Sequence, residues 1–478
     1  MSPPSPSSAK GRRQQHQSWF SLRYILFGCV GILVTFQAYV AFASTQGGAP
    51  TQSFRVSNAH WEPDLLHLNQ FNALCLTKGD TVIAWKPKHQ VRILKQDMDP
   101  DVLLAELSQC PEVDVFLPVG IRSHGYCEDA MAYVKFLHTR ALPMWVFGME
   151  FHDHNGKVST YFDLCPNSAV MFMNHYWDGL DQMSTFPPQK KIVLMPNVEM
   201  YELKPIHYQR ADYVIAKTED GYRRITEWYK KRGHNPRHTH VVYAQHTTSD
   251  PTATAALKAK MDPNFGAIAA KDWDKLTVFH ANGRSTQKNT PKILDCWHDR
   301  PDMPLLHVYS NDGPSNDTYW NHFRDKKPGN LQYHNGEFIE PAKFGKLMAE
   351  ASVILCPSIM EGFGHYINQA RAAGALLVTT DAAPMNEFVD DASGVLIENA
   401  VARPTWGKVL MGNDDTEFDV TPADICAAMD KILAMTPRER ALKARQGQQR
   451  YFDQLQFFSD RMDDFRTTLR DRMKKGRP

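Results

Sequence analysis

No acidic residue stands before Glu62, and no two cysteines are spaced as a CxxC pair anywhere in the chain. Without such pairs, or the cysteine and histidine spacing of a finger, a zinc module is not expected. Charge is scarce in balance if not in number: a formal net charge of +1 gives no global field, which argues against a nucleic-acid partner. The eight cysteines include Cys29 inside an apolar run, leaving seven. An odd number does not pair off completely, so a full disulfide framework is not assumed.

What is present fits a folded protein of more than one domain. Hydrophobic residues make up 42% and charged residues 22% of 478 residues, too long a chain for one ordinary core. The opening "MSPPSPSSAK" is Pro/Ser-rich and is expected to be disordered. Tyr24 to Ala43 then runs 20 residues without a charge, long enough to cross a bilayer. Lys10, Arg12, Arg13 and Arg23 precede it, so the positive-inside rule places residues 1–23 in the cytosol and the remainder across the membrane. Ala41-Phe42-Ala43 would suit a signal peptidase, but the apolar run is longer than most cleaved signals. The expectation is an uncleaved single-pass type II anchor at 24–43, followed by a flexible stem at 44–60.

Beyond the stem, short apolar runs alternate with helical stretches. Expected strands in the first half are Val113–Gly120, Met144–Met149, Ala169–Asn174, Lys191–Asn197, Tyr213–Thr218 and His240–Ala244. In the second half they are Leu276–Ala281, Leu305–Ser310, Leu331–His334, Val353–Pro357 and Leu376–Thr380. Helices are expected between most of them, at Asp129–His138, Glu219–Arg232 and Pro341–Ala351 among others. That alternation predicts two doubly wound α/β domains with parallel sheets, at 61–250 and 273–435, joined by a hinge at 251–272. In the last segment, 436–478, Tyr451, Leu455, Phe458, Met462, Phe465 and Leu469 recur four and three apart. They form one apolar face of a long helix, expected to pack on a domain surface.

Ligands bind beyond the carboxyl ends of the strands in open parallel sheets. Second-half strands end in "NGRSTQKN", "NDGPSN", "NGEF" and "PSIMEGFG". Glycine lets backbone approach a ligand, and a helix start presents free N–H groups to phosphate. Glu361 suits sugar hydroxyls better than phosphate, while Arg284 and Lys288 suit a diphosphate. Taken singly, Arg284 and Lys288 are ordinary loop charges and Glu361 an ordinary helix-start acid. Together they ask for a ligand with phosphates and hydroxyls, such as a nucleotide sugar.

These loops resemble those of family 4 glycosyltransferases of the GT-B fold. Gly283, Arg284 and Lys288 match the family's Gly-Arg…Lys loop. Pro357, Ser358, Glu361, Gly362, Phe363 and Gly364 match its Pro-Ser…Glu-Gly-Phe-Gly motif, the most specific match in the chain. The resemblance runs from about Val113 to Leu469 and is strongest in Leu276–Glu387. It implies two Rossmann-like domains facing a cleft and a C-terminal helix crossing back to the first. It further implies retaining transfer of a sugar from a UDP- or GDP-linked donor to a glycan, lipid or protein acceptor, with no metal or other cofactor. Arg284, Lys288 and the helix start after Gly362 would neutralise the leaving diphosphate, and Glu361 would hold the donor sugar. Gln369 stands where the family has the glutamate that binds the nucleotide ribose. In the first half, Gly125 would begin a glycine loop facing the cleft. The family's usual cleft histidine is replaced by "MPNVEMYEL", so Asn197, Glu199 and, after the preceding strand, His175 are alternatives for its role. Glu387 is either structural or donor-adjacent. The topology resembles that of Golgi or ER enzymes with a lumenal catalytic part, and Asn316-Asp317-Thr318 is a glycosylation pattern compatible with it.

Other readings are a non-catalytic nucleotide or sugar binder on a degenerated fold, and an epimerase or phosphorylase on the same fold. A metal-dependent transferase of the other major fold would need "DMD" (Asp97–Asp99) or "DWD" (Asp272–Asp274) at a strand end, which neither occupies. The "HDH" at 152–154 reads as a polar loop after a strand.

Overall fold

The structure, a computed structural model, describes residues 59–152, 156–200, 202–232, 235–325, 327–403 and 417–475. The expected anchor at 24–43, with its tail and most of its stem, lies outside the described residues, as do residues 153 and 154. Among the described residues no helix is long and apolar enough to cross a membrane.

The first lobe is built on β1 (Val82–Lys86), β2 (Gln90–Leu94), β3 (Val113–Phe116) and β4 (Arg140–Leu142). A small separate hairpin, β5 (Glu150–His152) and β6 (Val158–Thr160), follows, then β7 (Ala169–Met173), β8 (Ile192–Met195), β9 (Tyr213–Ala216) and β10 (His240–Tyr243). Apart from β5 and β6 these strands form one sheet in the order β10-β9-β8-β7-β3-β4-β1-β2. All its pairings are parallel except those of β1 with β2 and with β4. The β1–β2 hairpin lies outside the expected strands. It turns through Lys88 and His89, both at positive φ (61° and 55°), which the sequence does not flag because neither is glycine or asparagine.

Two further expectations are corrected. Met144–Met149 is not a strand: Pro143 ends the short β4, and Met144–Gly148 turns as a helix that buries Val146 and Phe147. The segment 251–272 is not a bare hinge. Pro251–Met261 is a helix led by Pro251 and capped by Asp250, whose side chain accepts from the Thr252 N–H. It packs so closely on the Pro341–Glu350 helix that a Cβ on Gly345 would strike the Pro251 carbonyl. The two aspartate triplets are turn and cap residues. Asp99 accepts from the N–H groups of Asp101 and Val102, and Asp272 from those of Asp274 and Lys275.

The second lobe holds β11 (Thr277–Gly283), β12 (Leu305–Ser310), β13 (Leu331–Asn335), β14 (Val353–Cys356), β15 (Leu376–Thr380) and β16 (Val395–Ile397). Their order is β13-β12-β11-β14-β15-β16, and every pairing is parallel. Because both faces are covered, the strands read as unbroken apolar runs rather than alternating ones. The chain ends in one helix, Pro437–Lys475. Its residues Tyr451, Leu455, Phe458, Met462, Phe465 and Leu469 are all buried in the first lobe's core, beside the Glu62–Thr77 and His124–Phe136 helices. Each such side chain contributes about 1.5–3 kcal/mol relative to exposure, so the helix is a structural tie between the lobes.

Six of the cysteines form disulfides: Cys75–Cys127, Cys110–Cys165 and Cys296–Cys426. Cys356 remains a buried free thiol, pushed up in pKa by burial.

Candidate functional site

In the second lobe the strand order reverses between β11 and β14, so the loops leaving those strands part and open a crevice at their carboxyl ends. Gly283 (φ 58°), Arg284 and Lys288 enter it from β11, and Pro357 to Gly364 from β14. The Ile359 N–H donates to the Gln287 carbonyl at 2.9 Å and ties the two loops together, while Thr380 Oγ1, at the end of β15, donates to the Ser358 carbonyl at 2.7 Å. Lys288 forms an ion pair with Glu361, and Ser358 Oγ donates to the same Glu361 oxygen at 2.6 Å. Arg284, four residues before Lys288, is exposed. Gly364, at φ +87°, starts the His365–Ala372 helix without any side-chain cap, leaving its first N–H groups for another acceptor.

The first lobe closes directly on this crevice. The Glu199 carboxylate lies where a Cβ on Gly362 would stand, so any larger residue at 362 displaces that side chain. Burial raises the Glu199 carboxyl to about 7, with Glu361 and Asp129 adding to the rise and Lys217 opposing it. One Glu199 oxygen, Oε2, is buried without a hydrogen bond. Asn197 accepts from the Lys217 ammonium. Gln369 reaches across the lobes, its Nε2 donating to Glu128 Oε1 at 3.2 Å and lying 3.4 Å from Ser249 Oγ. Phe363 is buried between lobes, edge-on to His246 at 4.7 Å and to Phe388 at 5.4 Å, so it is a wedge rather than a ligand contact. Gly125 is exposed in the first turn of the His124–Phe136 helix, where a Cβ would meet nothing. Glu387 accepts from the N–H groups of Glu219 and Asp220, both at 2.8 Å, and so caps a first-lobe helix from the second lobe.

Sequence reasoning missed the hub of this contact. Asp129, buried, takes the Lys217 ammonium at 3.1 Å, Asn174 Nδ2 at 2.8 Å and His365 Nε2 at 3.1 Å. His246 Nε2 lies 3.0 Å away but off the hydrogen-bonding axis. Burial alone would raise the Asp129 carboxyl; Lys217, His365 and His246 hold it well below the usual range. Burial drives His246 down to about 4, against the pull of Asp129, so it is neutral. The Asp129, His246 and His365 ligand atoms lie within 4.8 Å of one another. Lys217 already supplies the positive charge that Asp129 needs, so the cluster reads as a hydrogen-bonded hub. Its members are 88 and 236 residues apart along the chain, beyond the reach of any local motif. The only local signal was His365, which directly follows the glycine motif.

The first lobe has a switch point of its own. Its parallel strands reverse order between β3 and β7; Tyr126, in the first turn of the His124–Phe136 helix, and His175, in the loop after β7, meet there, Oη to Nε2 at 2.9 Å with their rings stacked.

No family model matches the sequence, and no curated protein matches it. Among solved structures the chain is similar to sucrose-phosphate synthase from Thermosynechococcus elongatus, at 13% identity over 70% of this chain and 84% of that one, with a TM-score of 0.45. It is also similar to the α,α-trehalose 6-phosphate synthase from Burkholderia multivorans, at 12% identity over 65% and 72%, with a TM-score of 0.46. An E. coli trehalose-6-phosphate structure bound with UDP-2-fluoro glucose matches at 12% identity over 63% and 72%, with a TM-score of 0.42. Similarity of this depth assigns no activity.

Proposed function

We propose that this protein is a nucleotide-sugar-dependent glycosyltransferase of the GT-B type that transfers a sugar with retention. The observation that carries the reading is the Lys288–Glu361 pair, formed by the two loops at the second lobe's switch point, with Arg284 on one of them and an uncapped helix start after the other. The two cations and the helix N–H groups are placed to meet a diphosphate, stabilising the charge that develops on the leaving group without calling on a metal. Binding of that diphosphate frees Glu361 from Lys288, and its carboxylate then accepts from donor-sugar hydroxyls. Glu199, held close to neutrality at Gly362, faces the same point from the other lobe and is the better placed of the three first-lobe alternatives. Closure of the lobes through Asp129 and Gln369 excludes water from the transfer.

The setting we propose is the lumen of the Golgi or ER, with the chain anchored through residues 24–43. Three disulfides support it, because an oxidising compartment is where such pairs persist.

One observation favours a second reading, a non-catalytic binder. Gln369 spends its amide on Glu128 and Ser249 and brings no charge to the crevice. Thermal denaturation with UDP, GDP and their common sugar conjugates separates the two. A ligand at a hundred times its Kd adds about 2.7 kcal/mol. Stabilisation by one nucleotide series, together with slow release of sugar from its conjugate, supports the transferase. Stabilisation without any sugar release supports the binder. No stabilisation of folded protein by any of them removes both.

A further inference from the structure

The first lobe holds a group of buried charges that the donor chemistry does not use, gathered around one end of a disulfide. Cys110–Cys165 ties the loop before β3 to the turn that ends the Tyr161–Leu164 helix. Cys110 is exposed, whereas Cys165 and all four cysteines of the other two disulfides are buried. Cys165 Sγ lies 3.6 Å from Nη2 of Arg140, whose Nε is paired with the Asp114 carboxylate at 2.7 Å. Lys190, 1% exposed, adds a second cation: its Nζ donates to the Cys165 carbonyl at 2.7 Å and stands over the Tyr161 and Phe162 rings. Asp114 is already held by Arg140 and by the Tyr161 hydroxyl at 2.5 Å, and Lys190 forms no ion pair of its own among the described residues. Burial lowers the Lys190 ammonium to about 7, so a negative charge arising beside it would fix its proton.

In thiol–disulfide exchange the attack falls on the sulfur that a thiol can reach, and the other sulfur leaves faster the better its negative charge is stabilised. Here the two sulfurs divide those roles. A surface cavity of about 290 Å³ adjoins Cys110, lined also by Glu112, Asn167, Arg470 and Met473. Arg470 and Glu112 form an ion pair across 2.6 Å, one charge of each sign. The joined loops have other ties: Ser168 Oγ donates to the Pro111 carbonyl at 2.6 Å and the Ala169 N–H to the Glu112 carbonyl at 3.0 Å. The S–S bond can therefore open while the lobe stays folded. We propose that Cys110–Cys165 is a thiol-exchange site of the folded protein, Cys110 accepting a small thiol and Cys165 leaving as a thiolate beside Arg140 and Lys190. A thiol with charges of both signs, of the glutathione kind, suits the Glu112–Arg470 pair at the entrance. Its thiolate, having lost its proton to water, attacks Cys110 Sγ. A new S–S bond forms there as the Cys110–Cys165 bond breaks, and the electron pair of the broken bond goes to Cys165. One disulfide replaces another, so no oxidant is consumed. The proposal does not depend on the transferase reading.

The test incubates the full chain, in detergent and without denaturant, with reduced glutathione. Free thiols are trapped by alkylation at intervals, and peptide mass spectrometry locates adducts and alkylated cysteines. The expected early product carries glutathione on Cys110 and the alkylating group on Cys165. It should form at least about tenfold faster than either Cys75–Cys127 or Cys296–Cys426 opens. Lys190→Met should slow this exchange about tenfold and Lys190→Arg restore it, each variant first shown to unfold cooperatively on heating. The wild-type adduct map decides the direction of attack without any variant. Glutathione on Cys165 in place of Cys110 overturns the proposal. So do three disulfides opening at one common rate, which would place the reaction in the unfolded chain, and an unchanged rate in folded Lys190→Met.

Discussion

The two switch points face one another but are filled by opposite means. In the second lobe, cations and acid neutralise each other at the crevice, and the loops carrying them are pinned by backbone bonds. In the first lobe, Tyr126 and His175 satisfy each other, while Glu199 Oε2 and Glu202 Oε2 are buried without a hydrogen bond. Between the two runs a buried network centred on Asp129, with Lys217 and His246 from one lobe and His365 from the other. The contrast teaches that a crevice satisfied by its own ion pair must be opened by a ligand of matching charge. A crevice with orphaned acceptors takes a ligand that brings donors.

The largest way to break this arrangement is at the hub. Asp129→Ala leaves the Lys217 ammonium buried without its carboxylate and should cost about 3–5 kcal/mol, seen as a fall in the urea midpoint. A change under about 1 kcal/mol would show that water reaches Lys217 and that the hub does not hold the lobes together. Next comes Lys288→Ala, expected to abolish the nucleotide-induced stabilisation of about 2.7 kcal/mol. An unchanged nucleotide-induced rise in Tm would remove Lys288 from the donor site.

The carboxyls of Glu199 and Glu387, raised to about 7 by burial, give a pH test. The folded state keeps protons that the unfolded chain has lost, so their contribution is complete below the ordinary 4.5 and disappears as pH rises through about 7. Stability conferred by these two groups therefore falls across that window. The double variant Glu199→Gln with Glu387→Gln should flatten the dependence of Tm on pH there, and an unchanged slope would place the titration elsewhere. Arg284→Ala is the mildest change: being exposed, Arg284 contributes within about 0.5 kcal/mol to stability. Its loss should nonetheless weaken nucleotide binding about tenfold by removing one charge-assisted contact, measured by titration calorimetry.

Much of the scaffold was legible because each signal was local. Apolar runs four to seven residues long bounded by Gly, Pro and Asn gave most parallel strands, and the four-three spacing from Tyr451 to Leu469 gave the terminal helix its buried face. Met144–Met149 misled because an apolar run of that length does not distinguish a strand from a buried helical turn. The residues nominated for the second-lobe crevice were found for the same reason: Gly283 ends β11, and Lys288, Glu361 and Gly362 follow β11 and β14 in two short connections.

By itself, then, the sequence pointed to most of the parallel strands, the buried face of the terminal helix and the residue types that gather in one crevice, since propensity, periodicity and turn residues act over a few neighbours. Tertiary structure alone decided that Gln369 would reach Glu128, that Glu199 would fill the space above Gly362, and that Asp129 would gather Lys217 and His365. Those contacts join residues far apart in the chain, and their energies exist only once both lobes have folded and water has been excluded between them.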